Sequence, residues 1–104
     1  MQQADHVQLD NVASCLEALG SPHRLGIYRL LVQSGTSGMA VGEIKNKLNI
    51  PSSTLSHHIS KLVKQGLIRQ ERESRTLLCC CNYELMDELM HYLSDNCCRG
   101  DDCC

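Results

Sequence analysis

Apolar positions near the start of the chain fall at Leu9, Val12, Ala13, Leu16 and Leu19. That i, i+3, i+4 spacing predicts a helix from Val7 to Leu19, stopped by Gly20. Ser21-Pro22 then reads as a helix cap with proline at the first helical position. Leu25, Ile27, Tyr28, Leu30, Leu31 and Val32 make the second helix apolar over most of its circumference, as a central helix must be. Ser34 to Gly38 is a loop. A short helix follows over Val41–Leu48, with Ile44 and Leu48 on one side. Asn49-Ile50-Pro51 is a turn, Ser52 or Ser53 caps the next helix, and Leu55, Ile59, Leu62 and Val63 face inward until Gly66.

Two short helices around a tight turn make a helix-turn-helix. Leu67 to Arg72, a polar turn near Glu73-Ser74 and Arg75 to Cys81 then read as a β-hairpin with charge at its tip. Leu85, Met86, Leu89, Met90 and Leu93 return to helical spacing as a stripe suited to a core or a dimer seam. The expected fold is therefore mostly α with a β-hairpin wing: a winged helix-turn-helix. Residues 1–96 form the domain and residues 97–104 a cysteine-rich tail.

With 104 residues a single domain is expected, and the absence of Phe and Trp means that Leu, Ile, Val and Met build the core. A partner chain would help to bury so modest a core. No run nears the ~18 apolar residues of a membrane span, and no basic, apolar leader opens the chain, so the cytoplasm is the expected compartment. The net charge of −2 conceals an asymmetry. Residues 41–75 hold seven bases and three acids, whereas residues 76–104 hold one base and six acids. A basic middle between acidic ends suits a polyanion, although a solvated helix face would look the same.

These residues carry a resemblance. Ser56-His57-His58-Ile59-Ser60-Lys61-Leu62, Gly66-Leu67-Ile68, the wing-like Arg72-Glu73-Ser74-Arg75 and the Leu19–Leu25 segment around Ser21-Pro22 resemble the ArsR/SmtB family of winged helix-turn-helix repressors. The likeness runs over about residues 12–95. It implies a homodimer that binds double-stranded operator DNA through recognition helix and wing and is released when a metal or metalloid binds. By position it implies that Ser52, Ser53, Thr54, Ser56 and His57 face bases or phosphates. The chemistry agrees, since hydroxyls at a helix N-terminus suit phosphate oxygens and base edges. Lys61, Lys64, Arg72 and Arg75 would supply salt-dependent attraction to the backbone. His58 is expected at the edge of the core. Ser74 stands where the family often has glycine.

The inducer is sought among ligand sets. The family's cysteine pair at the first helix of the helix-turn-helix is absent from Val41-Gly42-Glu43-Ile44. Of its zinc-type site on the last helix only Asp87 and His91 remain, so His91 is expected to face solvent. The tail holds Cys97, Cys98, Cys103 and Cys104, and it resembles arsenite-responsive members with a vicinal pair after the last helix and a third thiol beyond. Trivalent arsenic or antimony is a soft centre that takes thiolates; zinc held by four thiolates is the alternative ion. Neighbouring helical residues point ~100° apart, so Cys97 and Cys98 converge only if the helix end deforms. Gly100 lets Cys103 or Cys104 turn back over the pair.

Cys79, Cys80 and Cys81 should alternate faces of the second wing strand as small buried hydrophobes, and Cys15 should be packed. No nucleophile–base pair argues for an enzyme. The expected protein is an arsenite-released repressor. A thiol redox or persulfide sensor on the same scaffold, a zinc- or soft-metal-responsive repressor and a metal-buffering protein are the rivals.

Overall fold

The computed structural model describes residues 3–95. The chain order is helix α1 (Gln3–Leu19), helix α2 (Pro22–Ser34), strand β1 (Met39–Ala40), helix α3 (Val41–Leu48), helix α4 (Ser52–Lys64), strands β2 (Ile68–Glu73) and β3 (Thr76–Cys81), and helix α5 (Tyr83–Ser94). Among the described residues, no helix is long and apolar enough to cross a membrane.

The core gathers one face of each helix. Val12, Cys15 and Ala18 of α1, Ile27, Tyr28 and Leu31 of α2, Ile44 of α3 and Leu55, Ile59 and Leu62 of α4 are all buried. Helix α2 packs against α1, α3, α4 and β3, the central place its apolar girth requires. Ser21 caps it, its Oγ accepting from the Arg24 amide at 3.4 Å, with Pro22 at the first position.

Several boundaries differ from the sequence reading. Helix α1 begins at Gln3 rather than Val7, because its first turn is too polar to show a periodic stripe. Pro51, not Ser52 or Ser53, occupies the cap of α4, and no side-chain hydrogen bond caps that helix. The two serines lie in the first turn instead, with their hydroxyls unspent on capping. Val63 is only half-buried, Ser34 completes α2, and Leu67 lies ahead of β2. Met39 and Ala40 add a strand the pattern did not reveal, since two residues show no alternation. The sheet order is β1-β3-β2, all antiparallel.

Cys79 and Cys81 join the main core while Cys80 lies on the other face, under Gly38. A Cβ on Gly38, whose φ is +75°, would stand 2.6 Å from both the Cys79 carbonyl oxygen and Cys80 Sγ. Only glycine permits that approach of β1 to β3. Burial pushes the Cys15, Cys79 and Cys81 thiols up, away from the reactive thiolate. The Tyr28 hydroxyl is buried and makes no hydrogen bond among the described residues.

Two substitutions should therefore move stability in opposite directions. Gly38→Ala is expected to lower the unfolding free energy by about 2 kcal/mol or more, through positive-φ strain and collision with backbone, and with it the melting temperature. Tyr28→Phe, which deletes an unsatisfied buried hydroxyl, should be neutral or stabilising by up to about 1 kcal/mol. Thermal denaturation followed by circular dichroism measures both.

Candidate nucleic-acid interface

Helix α4 is amphipathic for a simple reason: Leu55, Ile59 and Leu62 recur at i, i+4, i+7 and are buried, so the opposite side of the helix faces out while His58 and Val63 lie half-buried at its flanks. Ser52, Ser53, Ser56, His57, Lys61 and Lys64 are exposed, and Thr54 is half-buried. The structure thus brings the sequence-derived residues of this helix onto one continuous surface, Thr54 at its edge. Its N-terminal amides are open, because no side chain caps them. That end can accept an anion.

The helix stops with defined geometry. The Leu67 amide donates to the Leu62 carbonyl at 3.0 Å and the Gly66 amide to the Val63 carbonyl at 2.9 Å, with Gly66 at φ +79°. This is a Schellman stop. Asn82 holds the stop from the other side. Its Nδ2 donates to the Gly66 carbonyl at 2.9 Å, while its Oδ1 accepts from the Leu85 amide at 3.2 Å as the cap of α5. Next to it, the Tyr83 hydroxyl donates between the Leu31 and Val32 carbonyls, at 3.2 and 2.8 Å, at the end of α2.

The wing projects beside α4. Arg72 and Arg75 are exposed on either side of a tip whose Glu73↔Thr76 pairing leaves a two-residue turn. Ser74 takes φ +60° there, a left-handed conformation that glycine adopts more readily. Arg69 is held by Glu71 at 2.9 Å. Both are exposed, so the pair adds little stability but does neutralise that cation. Among the described residues no carboxylate pairs with Lys61, Lys64, Arg72 or Arg75.

The sequence reading missed two groups. Ser60, exposed four residues after Ser56, lines a shallow hollow with Ser56 and Gln70 between α4 and the wing. The i, i+4 spacing was the available signal. Lys45, Asn46 and Asn49 line another hollow beside the turn between α3 and α4; Lys45 had been counted only as charge.

The metal residues fall differently. Cys97, Cys98, Cys103 and Cys104 lie outside the described residues. His91 is exposed on α5 with its Nδ1 3.0 Å from the Asp87 carbonyl and 3.4 Å from Asp87 Oδ1. Those contacts, backbone first, push its pKa up. Among the described residues no three His, Cys, Asp or Glu side chains are grouped to hold a metal ion.

A helix-turn-helix domain family matches residues 19–71, just over half of the chain. The nodulation protein NolR of Rhizobium meliloti is 33% identical over 97 residues, which are 93% of this chain and 75% of NolR. The homodimeric winged helix-turn-helix domain of Mycobacterium bovis Mb0332, a possible ArsR-family regulator, superposes with a TM-score of 0.72 at 26% identity, covering 92% of this chain and 89% of that one. The chain belongs to the ArsR family of winged helix-turn-helix transcriptional regulators. The transcriptional activator HlyU of Vibrio cholerae, 32% identical over 75% of this chain and 72% of its own, shows that relatives include an activator. As an ArsR-family member the chain is a DNA-binding transcriptional regulator.

Asn82 can be tested directly. Asn82→Ala loses a helix cap and the bond to Gly66, and should cost about 1–2 kcal/mol of unfolding free energy. Asn82→Asp keeps the capping oxygen and should recover about half of that loss in urea denaturation.

Proposed function

We propose that the chain is a homodimeric repressor, released from its operator by trivalent arsenic bound at Cys97 and Cys98 with Cys103 or Cys104. The observation that carries this reading is the doubled cysteine pair directly beyond α5, the helix whose outer face is left bare. Three thiolates suit a soft pnictogen centre, antimonite included, and four would suit zinc. The described cysteines are buried in the core and offer no competing site without unfolding. A reducing cytoplasm is the compartment this chemistry needs.

The dimer reading rests on α1 and α5. Leu9 and Leu16 remain 43% and 42% exposed and Met90 and Leu93 62% and 60%, a bare apolar surface in a chain short of core. The homodimeric Mycobacterium bovis relative supports pairing through a two-fold axis. Two copies of α4 would then enter successive major grooves, roughly 34 Å apart. Ser52, Ser53, Thr54, Ser56 and His57 would meet bases and phosphates there, while Lys61, Lys64, Arg72 and Arg75 meet the backbone. Arsenic that deforms the end of α5 would shift the seam and favour an orientation that no longer spans both half-sites. Such couplings are typically about 1–3 kcal/mol.

A redox reading uses the same thiols through a Cys98–Cys103-type disulfide, and a structure of reduced HlyU at 26% identity makes the oxidation state worth controlling. Fluorescence anisotropy separates the two. Micromolar arsenite in the presence of a reductant should release the DNA, and Cys97→Ser with Cys98→Ser should abolish release while keeping affinity. Release by peroxide alone, or arsenite release that survives both replacements, would overturn the arsenic site. Arg75→Ala should lower the slope of log affinity against log salt by about one, as loss of a phosphate contact requires. An unchanged slope would remove Arg75 from the interface.

A further inference from the structure

Three histidines and an arginine meet where α2 begins beneath α4. The Arg24 guanidinium donates through Nε to the Ala18 carbonyl at the end of α1, and its Nη1 lies 3.2 Å from Nδ1 of His58 on α4. The His58 ring lies 5.4 Å from the His23 ring and 5.8 Å from the His57 ring, centroid to centroid. One side chain therefore ties the last turn of α1 to the middle of α4. The neighbouring residue on α4 is His57, on its exposed surface.

The chemistry of that tie is one-sided. A guanidinium has only donors, so His58 Nδ1 must supply a lone pair, and the ring must be neutral with its proton on Nε2. A protonated His58 turns Nδ1 into a second donor and places two cations face to face. The surroundings add to the conflict. Helix α2 presents His23 and Arg24, and α4 itself presents His57 and Lys61. Helix α1 offers one acid, Glu17, in the groove it shares with Arg24, Lys61 and Lys64. On the far side of α4, β2 offers the uncharged Gln70.

We infer that Arg24 and His58 are positioning residues for DNA binding, a clamp that seats α4 on α1 and α2 only while the His58 imidazole is uncharged, so that affinity for DNA falls as the medium becomes acidic. The inference rests on DNA binding by α4 and is independent of the inducer. Burial first, then Arg24, His23, His57 and Lys61, hold the His58 pKa below its ordinary 6.5. The sign follows. The clamp's contribution is fully present above that ordinary value and is lost as pH falls through the lowered one. Acidification changes the charge of the whole surface and with it the attraction to DNA, so the His58 component has to be isolated by substitution.

His58→Asn does so, because the Asn oxygen can take the place of Nδ1 as acceptor while carrying no titrating proton. The probe is a labelled duplex that the wild-type protein itself selects from a random pool at about pH 7.5, so DNA binding is secured before the clamp is tested. At that pH His58→Asn should bind within about twofold of wild type, whereas His58→Ala and Arg24→Gln should bind several-fold more weakly. On going to about pH 5.5 at constant ionic strength, wild type should lose about fivefold more affinity than His58→Asn. Circular dichroism at each pH shows that the variants are folded. Parallel pH profiles for wild type and His58→Asn, or wild-type affinity in folded Arg24→Gln, would overturn the clamp.

Discussion

The structure depends on the burial of one narrow stripe. Leu55, Ile59 and Leu62 are held against a core without Phe or Trp. Fully burying a Leu or Ile contributes about 1.5–3 kcal/mol each, while total domain stability is only about 5–15 kcal/mol. That stripe fixes the rotation of α4 about its own axis. Because the period is 3.6 residues, fixing the inner face fixes the outer one. The serines, His57 and Lys61 point outward because the leucines cannot.

Rotation alone does not set where the helix ends or how it leans. The Schellman stop at Gly66, gripped by Asn82, ties its C-terminus to the start of α5. The adjacent Tyr83 ties that same start to α2. The Arg24–His58 contact restrains the middle from the side of α1. Helix α4 is therefore joined by polar contacts to α1 and α5, each of which carries bare apolar residues. In the proposed dimer, a change in how α1 and α5 pair would have physical routes to the surface of α4 proposed to face DNA.

Much of this was legible in the residues, and the omissions have physical causes. Periodicity revealed all five helices because each buries a stripe. The hairpin was legible because helical spacing breaks off after Gly66 and a polar, charged turn separates two short runs. Periodicity could not reveal β1, which is two residues long and defined by its pairing with Cys79 and Leu78. The serines after Pro51 looked like caps because serine is a good cap; the backbone chose proline and left them free. His58 was placed at the core edge, but its partner Arg24 is 34 residues away, and no local pattern encodes that. Ser60 was passed over although its spacing from Ser56 was plain. The tail's ligand set is read from cysteine order alone, since residues 96–104 lie beyond the described structure.

The central claim is that one side of α4 is locked into the core so that the other can read DNA. Amide and methyl NMR of the protein titrated with duplex DNA tests it most directly. Perturbed amides should cluster over Ser52–Lys64 and the wing tip at 73–76, with the methyls of Leu55, Ile59 and Leu62 almost unmoved. Perturbations centred on α2 or β1, or core methyls that shift as strongly as the surface, would contradict it.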